Sequence, residues 1–118
     1  MTNYLKELEN AKKQLKTIQN LPDNWNNNGA EAFSVVLIGK CLRILNRLIF
    51  IPFISPTADD SIQFEWEKDN GEYLEFVIFE EYSEMFWADK EKNRKEKTIK
   101  NNDERFIIDT VSEFFQKQ

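Results

Sequence analysis

Histidine is absent from this chain of 118 residues. Histidine supplies the commonest general base, the usual partner of a Ser or Cys nucleophile and the commonest metal-ligating side chain. Hydrolases that depend on a Ser-His-Asp or Cys-His arrangement are therefore excluded within the chain. A Gly-rich phosphate loop, a Walker motif and a Cys-x-x-Cys pair are absent as well. We therefore predict no catalytic residue, no metal ligand and no cofactor.

Cysteine, glycine and proline are scarce. One cysteine, Cys41, excludes an intrachain disulfide and a multi-cysteine metal site, and it fits a reducing cytoplasm. Its apolar helical surroundings predict a small core residue. Three Gly and three Pro leave little room for long disordered linkers. A chain of this length suits one domain, so we predict a single domain over residues 1–118.

Long apolar runs and an excess of basic charge are also lacking. The most apolar stretch, residues 32–54, is broken by Lys40, Arg43 and Arg47, so it does not predict a membrane span. The polar N-terminal residues lack the apolar core of a signal peptide. A net charge of −5 argues against a general binder of nucleic acid or anionic membranes and permits a partner with a basic surface. We expect a cytoplasmic protein.

The clearest positive pattern is a β-hairpin over residues 61–80, where apolar and polar residues alternate on both sides of a turn at residues 69–71. A two-residue loop would set apolar residues of one arm opposite acidic residues of the other. A three-residue loop pairs Lys68 with Glu72 and keeps the apolar set on one face, so we predict this register. Gly71 then takes a left-handed conformation. The predicted inner face consists of Ile62, Phe64, Trp66, Leu74, Phe76 and Ile78.

Apolar residues at helical spacing predict three helices. The first covers residues 3–20, the second about 35–49 with Ser34 as its N-cap, and the third about 104–116. The predicted buried stripe of the second helix consists of Ile38, Cys41, Leu42, Leu45 and Leu48.

Further strands are shorter or less regular. Pro52 and Pro56 bracket a short piece that is an edge strand or no strand. The pattern of residues 83–90 predicts a third strand. Residues 91–96 are predicted to form a turn or a solvated loop, and residues 97–100 a short fourth strand. The predicted fold class is α+β: a three- to four-stranded antiparallel sheet with two N-terminal helices and one C-terminal helix, the helices mainly on one sheet face.

The outward side of the hairpin is acidic. Ten acidic residues fall between Asp59 and Glu84, against the single base Lys68, and the preferred register sets Glu65 opposite Glu75. Like charges directly across two strands are unfavourable. Such a pair suits acid–base work, a divalent cation, a solvated surface or contact with a basic partner, and the sequence leaves these open.

Aromatic and apolar residues interrupt this acidic surface, and nothing in the chain obviously covers them. Sizeable exposed apolar patches usually mark interfaces. A separate tryptophan stands in an Asn-rich loop, where it either fills a gap between the first two helices and the sheet or is an exposed anchor. The candidate partner-binding residues are Glu65, Glu75, Tyr73, Val77, Phe79 and Trp25.

Two further motifs are weak. Residues 24–29 match the start of an EF-hand, but the twelfth position is Val35, where a bidentate Glu is required, so we predict no calcium site. The basic run over residues 90–100 favours a polarised surface or a soluble turn over contact with nucleic acid.

Short motifs link the chain to other proteins. Residues 21–30 read L-P-x-x-W-x-x-x-G-A, and a P-x-x-x-P stretch at residues 52–56 leads into a strand containing Glu65-Trp66. Across about residues 20–80 the chain resembles a group of small bacterial proteins of no settled activity that tend to occur with mobile or defence-related genes. It departs from them in the Asn-rich segment after Trp25 and in its aromatic-rich second arm. The resemblance implies a bacterial, intracellular protein and transfers no catalytic residue.

These features predict a small acidic, non-enzymatic binding protein that acts by protein–protein contact. An antitoxin- or immunity-like protein, or a phage-encoded inhibitor of a bacterial defence or nucleic-acid-handling protein, fits the size and charge. The alternative is a structural homodimer subunit with a self-complementary sheet face. An enzyme that uses Glu65 and Glu75 is the third and least favoured hypothesis.

Overall fold

The protein pairs one antiparallel β-sheet with a layer of helices. The computed structural model describes residues 2–101 and 103–116, and over these it has three α-helices and five β-strands. Residues 1, 102, 117 and 118, included in the predicted domain, lie outside the described residues. In chain order the elements are α1 (Thr2–Gln19), α2 (Val35–Arg47), β1 (Phe53–Pro56), β2 (Ile62–Glu67), β3 (Tyr73–Ile78), β4 (Tyr82–Ala88), β5 (Arg94–Lys100) and α3 (Glu104–Gln116).

The strands form a meander in which each strand pairs with its neighbour in sequence, in the order β1-β2-β3-β4-β5. The predicted hairpin register is confirmed: Phe64 lies opposite Phe76 at the centre of the β2–β3 pair. The backbone N–H of Lys68 donates to the carbonyl of Glu72 at 2.9 Å, and Gly71 has a φ of +94°. A turn that needs φ > 0 at its last position therefore selects this register.

The predicted number of strands is wrong, because the sheet has five. The piece between Pro52 and Pro56 does pair, as an edge strand where a missing N–H is tolerated. β5 begins at Arg94, inside the stretch that was predicted to be a loop. Its side chains are exposed on both sheet faces except Ile99, so the strand lacks the apolar–polar alternation that reveals a half-buried strand.

The helices lie on one face of the sheet, as predicted, and enclose the core there. α2 contacts both α1 and α3, and the Phe114 ring of α3 packs edge-on against Trp87 of β4, with 5.4 Å between ring centroids. Ser34 caps α2, because its hydroxyl accepts from the backbone N–H of Leu37 at 3.1 Å. Leu42, predicted to be buried, is 38% exposed; its place in the core is taken by other α2 residues, including Ile44.

Both edges of the sheet resist pairing with another strand. β1 has only four residues, and the carbonyl of Ile54 accepts a hydrogen bond from the Gln14 side chain of α1 at 3.4 Å. β5 carries Arg94 and three lysines along seven residues. Short edge strands and edge lysines both oppose edge-to-edge association. Contacts with other molecules are therefore expected through the faces of the protein.

The turn between β4 and β5 repeats the hydrogen-bond pattern of the β2–β3 turn but places Lys92, with a φ of +69°, where the other turn has Gly71. A side chain in this conformation is strained. We expect Lys92→Gly to raise the free energy of unfolding by about 0.5–1 kcal/mol in urea unfolding, because the relieved strain outweighs the added freedom of the unfolded chain. Lys90→Gly, at a turn residue without a positive φ, should instead lower it. Equal effects of the two substitutions would contradict the strain at Lys92.

Candidate functional site

The face of the sheet opposite the helices is open, and we call it the outer sheet face. Strand alternation and the register place its side chains in rows across the five strands. The outer sheet face consists of Phe53 and Ser55 from β1, Gln63, Glu65 and Glu67 from β2, Tyr73, Glu75 and Val77 from β3, Tyr82, Glu84, Phe86 and Ala88 from β4, and Arg94, Glu96, Thr98 and Lys100 from β5.

Two carboxylates lie directly opposite each other on this face, as predicted. Glu65 pairs in register with Glu75. The side-chain amide of Gln63 donates to Glu65 Oε1 at 2.8 Å, and the hydroxyl of Tyr73 donates to Glu75 Oε1 at 2.7 Å. Among the described residues no basic side chain forms an ion pair with either carboxylate. The like-charge contact is therefore eased by neutral donors and remains open to a cation.

Tyr73 is held in its protonated form. Burial raises the pKa of Tyr73, and the hydrogen bond to Glu75 and the nearby carboxylates of Glu65 and Glu67 raise it further. All of these effects disfavour a phenolate at this position. Tyr73 therefore stays a hydrogen-bond donor over the whole neutral range and keeps the Glu75 side chain oriented.

Aromatic rings lie between the carboxylates. Phe86 is next to Glu75 in register, 6.1 Å from the Tyr73 ring, and the Arg94 guanidinium lies 5.6 Å from its centroid. Phe79, just past the end of β3, stacks on Tyr82 with 4.6 Å between centroids. Rings that rest on a sheet beside charged groups bind both apolar side chains and cations.

Three aromatic residues of this face were not among the predicted site residues: Phe53, Tyr82 and Phe86. Phe53 lies opposite Glu65 and is 67% exposed. Sequence reasoning missed it because the strand that carries it was uncertain. Phe86 faces away from Trp87 on β4, and its place beside Glu75 depends on the β3–β4 pairing, which the alternation within one strand does not specify.

The outer sheet face is acidic as a whole. Five carboxylates stand against two basic side chains, which gives a net charge of −3. A depression of about 370 Å³ over β3, β4 and β5 is lined by three glutamates, one lysine and four uncharged residues: Glu75, Glu84, Glu96, Lys97, Val77, Met85, Phe86 and Thr98. Its chemistry suits a basic, partly apolar protrusion of another molecule.

Trp25 lies apart from the other predicted site residues. Its ring is 5.9 Å from Phe33, and its indole N–H donates to the carbonyl of Glu31 at 3.2 Å. It is partly buried against the core. The structure thus brings five of the six candidate residues together on or beside the outer sheet face and leaves Trp25 in the loop between α1 and α2.

The Asn-rich loop uses its side-chain oxygens internally. Asn24 Oδ1 accepts from the backbone N–H of Gly29 at 2.8 Å, and Asn26 Oδ1 accepts from those of Asn28 at 2.9 Å and Ala30 at 3.1 Å. Such bonds stabilise turns in place of regular secondary structure. Two of the side-chain oxygens that matched the start of a calcium loop, those of Asn24 and Asn26, therefore accept hydrogen bonds from backbone N–H groups.

Other chemistry-bearing groups are sparse in the described residues. Cys41 is fully buried, and burial raises the pKa of its thiol, which keeps it protonated. In residues 2–101 and 103–116 no three His, Cys, Asp or Glu side chains are grouped so as to hold a metal ion.

Over the same residues, none of the helices has the length and apolar character needed to cross a bilayer. Comparisons with known protein families, curated proteins and solved structures found no match to this chain.

Proposed function

We propose that the protein is a small, acidic, non-enzymatic binding protein that acts in the bacterial cytoplasm by contact with another protein. Its outer sheet face binds a basic surface of that partner and occludes it. An antitoxin- or immunity-like protein, or an inhibitor of a defence or nucleic-acid-handling protein, fits this mode of action. The observation that carries the proposal is an uncovered five-stranded sheet face with a net charge of −3 and aromatic rings between its carboxylates.

The arrangement of groups supports contact with basic side chains in particular. Glu65 and Glu75 oppose each other, and no basic side chain within residues 2–101 and 103–116 forms an ion pair with either of them. An arginine or lysine placed between them would relieve their repulsion and form charge-assisted hydrogen bonds. The neighbouring Tyr73 and Phe86 rings offer the apolar contact that usually dominates the binding energy of an interface.

Charge argues against the homodimer alternative on this face. Two copies that meet through their outer sheet faces would bring together two surfaces of net charge −3. Like-charge contact of this kind disfavours association. A basic partner removes that repulsion, so we rank heterologous binding first and an enzyme using the Glu65–Glu75 pair last.

The proposal is tested by removing the two opposed charges with little change in shape. The tagged protein and its Glu65→Gln/Glu75→Gln variant are used to capture proteins from a bacterial lysate at low salt, and the affinity for the captured protein is then measured. We expect binding to weaken at least tenfold in the variant, which is about 1.4 kcal/mol, because each substitution removes a charge that the partner neutralises.

The matched control is Glu7→Gln/Glu9→Gln, which removes two exposed carboxylates from α1. It should bind as the unmodified protein does. Capture of nucleic acid alone, or equal weakening by both double variants, would reject the outer sheet face as the binding surface.

A further inference from the structure

The helix layer carries an exposed apolar ridge on α2. Val35 and Leu42 lie seven residues apart on one face of α2 and are 74% and 38% exposed. Ile49 is 70% exposed as well; it lies just past the C-cap Leu48, where the backbone has become extended, and prolongs the apolar surface beyond the end of the helix. We call these three residues the α2 ridge. A seven-residue apolar repeat on an exposed helix is the pattern of a packing seam.

The α2 ridge is open to close approach. Gly39 lies between Val35 and Leu42 on the same side of the helix, and a Cβ built there would meet only an Arg43 guanidinium nitrogen, at 4.0 Å. Small residues at a seam let another backbone or sheet come near. Among the described residues, the Arg43 side chain is thus the only neighbour within 4 Å of this point on α2, the helix's own backbone aside.

The helix layer is basic where the outer sheet face is acidic. Over the described residues of α1, α2 and α3, eight basic side chains stand against five acidic ones, a net charge of +3. The opposite face of the same molecule has a net charge of −3. The two faces are thus complementary in charge to each other and repulsive to themselves.

The two faces also agree in size. The 13 residues of α2 span about 20 Å at a helical rise, and strands of six or seven residues are about 20–23 Å long. Five strands at their usual spacing add a width of about 20–24 Å. The contact would cover about 500 Å² in projection, at the low end of specific interfaces. An open sheet face is also the surface on which a helix layer ordinarily packs.

We propose that the protein self-associates head to tail, the α2 ridge and basic helix layer of one copy docking on the outer sheet face of the next. Because the two surfaces lie on opposite sides of the molecule, the contact does not close on itself and adds copies in a row. Self-association therefore occludes the outer sheet face at high protein concentration and leaves it free at low concentration. This inference shares that face with the proposed function but does not require a foreign partner.

The test uses sedimentation velocity on the full chain and two single-surface variants. The ridge variant, Val35→Glu/Leu42→Glu, places carboxylates on the helix layer. The face variant, Glu84→Lys/Glu96→Lys, reverses two exposed charges of the outer sheet face. Circular dichroism confirms that both remain folded, since all four positions are exposed.

The unmodified protein should grow in average mass at least twofold between about 10 µM and about 1 mM at low ionic strength. It should return to the monomer mass of 14.1 kDa at about 0.5 M salt. Each variant alone should stay monomeric. An equimolar mixture should form dimers and stop there, because the ridge variant retains an intact outer sheet face and the face variant retains an intact ridge.

Three results would overturn the proposal: a monomer at every concentration, a face variant that still self-associates, or a mixture that stays monomeric. The second would indicate a symmetric contact between helix layers. Partner capture is measured at low concentration, where the outer sheet face is free, so a failed self-association test leaves the proposed function to stand or fall on the Glu65→Gln/Glu75→Gln result.

Discussion

Phe76→Ala should lower the free energy of unfolding by about 3–5 kcal/mol in urea denaturation, the range measured for loss of a buried phenylalanine. Phe76 is fully buried at the centre of β3, between Phe64 and Met85 on the neighbouring strands. Its ring is perpendicular to that of Trp66, with 6.3 Å between the ring centroids. The helices above it cannot close the cavity without moving the whole layer. Small domains have free energies of unfolding of about 5–15 kcal/mol. The substitution would therefore remove a large part of the stability of this protein.

A second phenylalanine of the same sheet provides the matched control. Phe53 lies on the outer sheet face and is 67% exposed, so Phe53→Ala should change the free energy of unfolding by less than about 1 kcal/mol. Similar losses from the two substitutions would mean that the inner and outer faces have been assigned wrongly.

Lys68→Met should lower the free energy of unfolding by about 2 kcal/mol at neutral pH. The Lys68 ammonium lies 3.0 Å from Glu72 Oε1 and 4.6 Å from the centroid of Phe114, and the two paired side chains are only 14% and 9% exposed. Methionine keeps the apolar stem against α3 but leaves the Glu72 carboxylate with Asn70, at 3.1 Å, as its side-chain donor. Removing one partner of a largely buried ion pair is more damaging than removing both.

The same pair makes stability depend on pH. Hydrogen bonds from Lys68 and then Asn70 hold the pKa of Glu72 below its ordinary value, against the opposing effect of burial. Because the folded pKa is below the unfolded one, the stabilisation is complete above the unfolded pKa, about 4.3, and is lost as the pH falls through the folded pKa. The deficit of Lys68→Met should therefore shrink in acid.

The measurement is urea unfolding of the unmodified protein, Lys68→Met and Lys68→Met/Glu72→Gln between about pH 7 and about pH 3. The double variant should be more stable at neutral pH than Lys68→Met and less sensitive to acid than the unmodified protein. Lys90→Met, at an exposed turn, is the control for loss of a lysine charge. A deficit of Lys68→Met that does not change with pH would contradict the role given to Glu72.

Local patterns in the sequence determined the centre of the fold but not its edges. The β2–β3 register followed from Gly71 and from the need to keep six apolar side chains on one face, both of which act over a few residues. β5 was partly missed because an edge strand with polar side chains on both faces is chosen by pairing with β4, not by its own pattern. The exposure of Leu42 depends on how the helices are arranged around α2, which periodicity alone does not specify.

In the candidate site, too, the features within one hairpin were predictable and those that depend on other segments were not. The contact of Glu65 with Glu75 was predictable because one hairpin contains both residues. Phe53 lies beside Glu65 because β1 pairs with β2, and Phe86 lies beside Glu75 because β4 pairs with β3. Both pairings join segments outside the hairpin to it, so the hairpin pattern does not specify them. The hydrogen bond from Tyr73 to Glu75 depends on side-chain rotamers, and the sequence carries no signal for it. Trp25 could not be located because its loop has no periodic pattern.

The meander order of the strands has a consequence for how the chain acquires its structure. Since each strand pairs with the one before it, every sheet contact closes a short loop, and such contacts form quickly. During synthesis the sheet can therefore assemble strand by strand as the chain leaves the ribosome. The apolar side of that sheet stays uncovered near Trp87 until the last helix brings Phe114 over it. Because α3 follows the sheet in the chain, this part of the core is completed after the sheet has been synthesised, and until then the apolar surface near Trp87 is exposed to chaperones and proteases.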